Sequence, residues 1–386
     1  MRIGLLLHEY LMPNSGSAGS TLSLGKEYCL LGHDVQYFSY DNLPSKLPIN
    51  VKDMLFPEYS AAYIHKLFRD GHHLDVVDGS TGDLWVWLKF FKKSRKNTLF
   101  VTRSHGLDHL DHLQILEDAR CGQLSLSWKY PLYRGSVQLW EVKSSLEHAD
   151  LNFMLNQVEA AYVIKNFEVS PNKVHVFPNG IPQSFLNLPF EETSFQEDSV
   201  IKIAQIGTYI QRKGINYSTP ALNSILQRYP RVEVSLIGTE LRGYGTEEIV
   251  YADFEPSVRH RVKVIPFFQH ETLPSLLRGH HIKLFPTLAE GFGKALIEAM
   301  ACGLAAITTP TPGPSDIVTD GHDALVIPIR DTQAIESALE RLIVDRTLLN
   351  QLRTNAYATA QRYSWRTIAQ ARLGIYEKAL AAKRLN

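Results

Sequence analysis

The chain has little cysteine: three in 386 residues, Cys29, Cys121 and Cys302, spread far apart. That number and spacing exclude a disulfide framework and a cysteine-built zinc site, and they predict a reduced, cytoplasmic protein. It also has no excess of charge, since 40 basic side chains balance 40 acidic ones. A net charge near zero argues against a dedicated nucleic-acid binder, which needs a basic field. No apolar run approaches the roughly 20 residues of a membrane-spanning helix. The opening Met1-Arg2-Ile3-Gly4-Leu5-Leu6-Leu7 stops at His8-Glu9, too short for a secretory signal, and reads as a first buried strand. Repeats and low-complexity tracts are absent. What remains is 44% apolar and 21% charged, the make-up of a globular protein, with length enough for two or three domains at about 150 residues each.

Short β-type runs alternate with helical ones. Strands are expected at 3–7, 35–39, 75–77, 99–102, 151–154 and 174–177. A loop of small residues, Pro13 to Ser20, precedes a helix-period segment that ends at Gly32. After Pro178-Asn179-Gly180 come Pro182, Pro189 and an acidic run, which read as a linker over 186–199. A second alternation follows. It has strands at 201–206, 232–237, 262–265, 282–285 and 305–308, and helices at 215–228, 272–277 and 294–302. Three helical patterns close the chain. Alternation of this kind predicts parallel sheets covered on both faces: an α/β protein of two Rossmann-like domains, 1–185 and 200–365, the last helix (366–386) rejoining the first. Two doubly wound domains place a ligand cleft between them.

The most informative segment is Glu290-Gly291-Phe292-Gly293-Lys294-Ala295-Leu296-Ile297-Glu298-Ala299-Met300-Ala301-Cys302-Gly303. It follows a buried strand and opens a helix. Gly291 and Gly293 let backbone approach a ligand closely, and the N–H groups and dipole at the helix start attract an anion. Two carboxylates beside such a cradle would repel phosphate; they suit the hydroxyls of a sugar.

Glu290 and Glu298, with seven residues between them in E-G-F-G-x-x-x-x-E-A-M-A-C-G, resemble the signature of the group 1 (GT4) retaining glycosyltransferases, which have the two-Rossmann GT-B architecture. The resemblance extends over nearly the whole chain. Pro13 to Gly16 with Gly32-His33-Asp34-Val35, Thr102-Arg103-Ser104-His105-Gly106, Lys173-Val174-His175-Val176-Phe177-Pro178-Asn179-Gly180, Gly207 to Lys213-Gly214, and Tyr363-Ser364-Trp365 are similar to further family elements in the family's order. It implies a nucleotide-sugar donor. Glu298 would bind the ribose. Glu290 would contact the donor sugar, with the Gly291, Phe292, Gly293 and Lys294 backbone on sugar and diphosphate. Lys213 would neutralise the diphosphate, Gly16 would close a loop over it, and His105 would sit beside the sugar. Lys213, Glu290 and His105 would be the catalytic set. Neither a metal nor another cofactor would be needed.

One departure bears on the chemistry. The family usually carries arginine after the first glycine of its phosphate segment; here it is Thr208, a hydroxyl in place of a bidentate cation. Arg212 is the candidate substitute. Thr208 also favours a rival reading, a non-catalytic nucleotide-sugar-binding protein; a second rival is another GT-B enzyme, such as a nucleotide-sugar epimerase. The acceptor, whether small molecule, glycan or lipid-linked, would be chosen by loops at about 40–60 and 106–137. His109 and His112 share a helical spacing that a metal site could use. The stretch 84–96 mixes aromatics with five cations and suits either a packed helix or a weak membrane-surface contact.

Overall fold

The structure is a computed structural model that describes residues 1–385 apart from Asn14, 92–96, Gln123, Glu191, 197–198 and Arg242. The chain divides into two compact units, Met1–Gly180 with Trp365–Asn386, and Ile181–Ser364.

The first unit is built on six parallel strands: β1 (Arg2–Leu6), β2 (Asp34–Phe38), β3 (Val76–Ser80), β4 (Leu99–Arg103), β5 (Leu151–Met154) and β6 (Val174–Val176). Their order is β2-β1-β3-β4-β5-β6, with Ile3 registered against both Val35 and Val76. The central strands β3 and β4 are buried at every position, as a sheet covered on both faces requires. Helix Gly16–Leu30 is capped by Ser15, whose hydroxyl accepts from the Ala18 amide at 3.2 Å. It begins four residues before the expected end of the small-residue loop. The last helix, Trp365–Leu385, packs Trp365, Leu373 and Tyr376 against Ile3, Val76 and Val101. Its Tyr376 hydroxyl donates to buried Asp78 at 2.7 Å, and Asp78 also accepts from Arg103 at 3.1 Å.

Two expectations are corrected here. The acceptor loops at 40–60 and 106–137 each contain a helix, Ile49–Arg69 and Asp108–Arg120. The first contains Pro57 and still forms, because Phe56, Ala61 and Ile64 bury one face of it; packing overrides the breaker.

The second unit has β7 (Ile201–Ile206), β8 (Val232–Ile237), β9 (Val262–Ile265), β10 (Ile282–Phe285), β11 (Ala305–Thr308) and β12 (Ala324–Val326). All pair in parallel in the order β12-β11-β10-β7-β8-β9. Three-residue β12 went unanticipated. Helix Ile215–Arg228 lays Ala221, Leu222, Ile225 and Leu226 into the core. The segment read as a linker is packed where it is described. Phe190 stacks on Tyr357 with ring centroids 5.0 Å apart, and the Tyr357 hydroxyl donates to the Leu188 carbonyl at 2.7 Å. The acidic positions Glu191, Glu197 and Asp198 lie outside the described residues. In this sheet the strand order reverses between β7 and β10, and doubly wound folds bind ligands beyond the carboxyl ends of strands at such a point.

Candidate active site

The loops leaving β7 and β10 are adjacent at that reversal and are stitched together. Gly207 (φ +132°) and Gly214 (φ +77°) bracket the loop after β7. A Cβ on Gly214 would fall 2.0 Å from the Pro286 carbonyl oxygen, so glycine is required for the loop to lie flush on the end of β10. The Leu288 amide and the Thr287 hydroxyl both donate to the Arg212 carbonyl, at 2.9 and 3.2 Å. This brings Lys213 Nζ to 2.7 Å from Glu290 Oε2, each side chain less than one-fifth exposed. The residues assigned from the sequence to diphosphate and to sugar are paired with each other in the free protein.

Beyond Glu290, Gly293 turns the chain with φ +96° into helix Lys294–Ala301, and no side chain caps that helix. Gly313 supports the turn from below. Its amide donates to the Glu290 carbonyl at 3.0 Å, and a Cβ there would lie 2.4 Å from the Phe292 Cα. Phe292 is buried, which leaves the Gly291-Phe292-Gly293 backbone as the material of the cradle.

Glu298 sits on the same helix and is 2% exposed. Its Oε1 is 2.7 Å from His270 Nε2 and 3.8 Å from Lys294 Nζ. His270, in the turn His270–Thr272 after β9, rests against Phe185 at 5.3 Å between ring centroids. Sequence reasoning missed it; its signal was a position just past a strand end. Lys283 was missed as well. It is fully buried on β10, its Nζ 3.5 Å from the Ile206 carbonyl and 5.2 Å from the Phe285 ring centroid. Burial, reinforced by the charge of Lys213, holds its pKa well below the ordinary lysine range.

Thr208 is half-buried, and its carbonyl accepts from the Ile210 amide at 2.9 Å. Arg212 is exposed, and its guanidinium reaches the Ala289 carbonyl at 3.4 Å. It therefore stands beside the loop that carries Glu290. Lys213, Glu290, Gly291, Phe292, Gly293, Lys294, Glu298, Thr208 and Arg212 all belong to the second unit; Gly16 and His105 belong to the first.

In the first unit a Cβ on Gly16 would meet open space, so folding does not demand glycine there. His105 follows β4, and its Nε2 is buried with no hydrogen-bond partner among the described residues. Burial and the neighbouring Arg103, His8 and Arg372 push its pKa well down, so the ring is neutral. At the ends of β1 and β3, His8 Nδ1 is 2.6 Å from Asp83 Oδ1. Burial opposes a charge on His8, but the Asp83 carboxylate outweighs it and raises the pKa to about 9.

The histidines that suggested a metal have other partners. His109 packs on Phe167 at 4.7 Å, and His112 Nδ1 lies 2.9 Å from the Tyr130 hydroxyl. Among the described residues no three His, Cys, Asp or Glu side chains converge as metal ligands. In the aromatic stretch, Trp87 is buried and stacks on Phe91, while Lys89 lies 4.6 Å over the Trp140 ring; its cations at 92–96 lie outside the described residues. No helix among the described residues is long and apolar enough to cross a membrane.

Residues 190–359 match the family model described as glycosyl transferases group 1. Over 417 aligned positions the chain is 24% identical to the MMP alpha-(1->4)-mannosyltransferase of Mycolicibacterium hassiacum, with 99% of each chain covered. Among solved structures it superposes on a sucrose-phosphate synthase from Thermosynechococcus elongatus with a TM-score of 0.75 and 18% identity, covering 99% of this chain and all of that one. The Anabaena protein HepE, in complex with UDP, gives a TM-score of 0.71 at 18% identity, with 98% and 100% covered.

Proposed function

We propose, from the match of residues 190–359 to the model of the group 1 glycosyl transferases and from the GT-B fold, a retaining, metal-independent transferase. It moves a sugar from a nucleoside-diphosphate sugar to an acceptor hydroxyl. The observation that carries this is the convergence of Lys213, Glu290, the Gly293-led helix and Glu298 at the strand-order reversal of the second sheet. HepE, bound to UDP, to UDP with glucose, and to UDP-glucose, supports the choice of donor class.

Glu298 accepts hydrogen bonds from the ribose hydroxyls. Lys213 and the uncapped start of helix Lys294–Ala301 meet the diphosphate, whose charge grows as the anomeric carbon–oxygen bond breaks; donors placed for the developing charge lower the barrier most. Glu290, released from Lys213, accepts from the sugar hydroxyls. The acceptor oxygen bonds the anomeric carbon on the face the diphosphate leaves. Its proton passes to the departing phosphate oxygen, so no side-chain nucleophile is needed. A cation and a helix N-terminus here do the work magnesium does elsewhere.

The test is a thermal-shift screen with UDP, GDP, ADP and dTDP, followed by turnover with the matching sugar nucleotide, with and without EDTA. A ligand at 100 times its dissociation constant stabilises by about 2.7 kcal/mol, a shift easily read. Stabilisation by one nucleotide and EDTA-resistant release of it are expected. Activity abolished by chelator and restored by magnesium or manganese overturns the metal-free reading.

A further inference from the structure

The first unit contains a cleft of about 380 Å³ of its own. Its chemistry is two-ended. Inside are Asp83, 2% exposed, and Glu141, 6% exposed, together with His8 and Tyr133; a third lining carboxylate, Asp53, accepts from the Tyr40 hydroxyl. Lys129 and Arg134 line the same cleft and are exposed, so the cations form its rim.

The interior groups are only partly matched to one another. Asp83 spends Oδ1 on His8 at 2.6 Å, while its Oδ2 is buried with no partner among the described residues. A buried carboxylate oxygen left unpaired costs about 1–3 kcal/mol or more, and a ligand hydroxyl donating to it removes that cost. The His8 ring beside it is protonated near neutral pH and can donate to the same hydroxyl. Glu141 accepts from the Tyr133 hydroxyl at 3.1 Å, and burial raises its carboxyl to about 7. Near neutrality it therefore both donates and accepts.

A wholly anionic ligand would be repelled by Asp83, and a wholly neutral polyol would leave Lys129 and Arg134 without a role. A molecule with hydroxyls at one end and an anion at the other satisfies both halves. We propose that this cleft is the acceptor site, and that the acceptor is a polyhydroxylated ring carrying a phosphate: its hydroxyls on Asp83, His8 and Glu141, its phosphate on Lys129 and Arg134. This rests on the transferase reading above.

The test uses the full chain and isothermal titration with hexose 6-phosphates, inositol 1-phosphate, the corresponding unphosphorylated molecules and inorganic phosphate. A second arm measures co-sedimentation with vesicles of phosphatidylinositol in phosphatidylcholine, and of phosphatidylcholine alone. At least one phosphorylated polyol should bind at least tenfold more tightly than its neutral counterpart and than inorganic phosphate. The Lys129→Ala/Arg134→Ala pair should abolish the first preference, and Asp83→Asn should abolish the second. Binding in solution assigns a free sugar phosphate; binding only to the phosphatidylinositol vesicles, lost in the same variants, assigns a lipid headgroup. Equal binding to both vesicle types, inorganic phosphate binding as tightly as any polyol phosphate, or indifference to both variants overturns the proposal. Stabilisation by whichever of UDP, GDP, ADP or dTDP the thermal-shift screen selects, measured on every variant, reports separately on folding and on the donor reading.

Discussion

Lys213 Nζ and Glu290 Oε2 lie 2.7 Å apart, the cation and the carboxylate closing on each other across two loops of the same unit. Under the proposed function a diphosphate would draw Lys213 away from Glu290, and the sugar would then have to satisfy the freed carboxylate. On that reading the pair would gate donor binding, holding the lysine in place before the donor arrives at the cost of some affinity for the nucleotide alone.

Lys213→Ala should lower the rate of the chemical step more than donor affinity, because the charge it meets grows in the transition state. A fall of about 10²–10³ in kcat, or 2.7–4 kcal/mol, matches one preorganised donor elsewhere. Glu290→Gln should do the opposite to the free nucleotide: UDP or its counterpart binds a few-fold tighter by titration, while turnover falls. Near-normal kcat in Lys213→Ala would reject the phosphate role of this segment.

The neighbouring Arg212 decides how the site manages without arginine at 208. Its guanidinium lies at the Ala289 carbonyl, one residue from Glu290. If it serves the diphosphate, Arg212→Ala lowers kcat comparably to Lys213→Ala and Thr208→Arg changes little. If the site runs on one cation, Arg212→Ala is mild and Thr208→Arg tightens nucleotide binding. Steady-state kinetics of the two variants separates these outcomes.

Glu298 and His270 should behave as one unit in nucleotide binding. Loss of a charged hydrogen bond costs about 1.5–3 kcal/mol, so Glu298→Ala should weaken the nucleotide by that amount, with or without its sugar. His270→Ala should weaken it less, by letting the carboxylate turn. The double variant should fall short of the sum by about 0.5–3 kcal/mol, the coupling of groups in contact. Additive losses would separate His270 from the site.

His270 also shows where the sequence stopped being readable. The Glu290–Glu298 segment was legible because its residues are contiguous: strand end, glycines and helix start occur in one run. Strands 201–206, 232–237 and 282–285 were legible because apolar residues recur along them with a period of two, Ile201 and Ile203, Val232 and Val234, Ile282 and Leu284. His270 reaches Glu298 only through the parallel stacking of β9, β8, β7 and β10, and no local pattern encodes that. Likewise the His8–Asp83 pair joins ends of β1 and β3, 75 residues apart. Three-residue β12 is too short for a period, and helix Ile49–Arg69 hides behind Pro57.

Gly214 and Gly16 separate two reasons for a glycine. At Gly214 positive φ and the Pro286 oxygen both oppose a side chain, so Gly214→Ala should lower stability by more than the roughly 1–3 kcal/mol of local backbone strain alone, read from denaturant midpoints. At Gly16 a Cβ meets nothing, and Gly16→Ala should leave stability level or raise it by up to about 1 kcal/mol. If Gly16 approaches the donor phosphates, the same variant loses turnover while staying folded; unchanged turnover would make it an ordinary helix-start residue.

Lys283 gives a pH signature. Its folded pKa lies well below the ordinary lysine value near 10.4 that it regains on unfolding. Between those two values the unfolded chain binds more protons than the folded one, so stability rises with pH there. The penalty is full below the folded pKa, fades as pH climbs, and is gone above about 10.4. Lys283→Met keeps the volume, removes the amine, and forfeits a long 3.5 Å contact to the Ile206 carbonyl and the cation's place over the Phe285 ring. It should therefore be more stable than the parent at pH 7, with the advantage shrinking steadily toward pH 10. Donor binding supplies an independent readout. On the proposed reading the anionic diphosphate meets Lys213, whose charge helps suppress the protonation of this amine, and so its arrival should favour that protonation. Calorimetric titration of the nucleotide in buffers of different ionisation enthalpy should then show proton uptake in the parent that is reduced in Lys283→Met. A variant destabilised equally at every pH would show instead that the amine's contact, and not its suppressed charge, is what the fold uses.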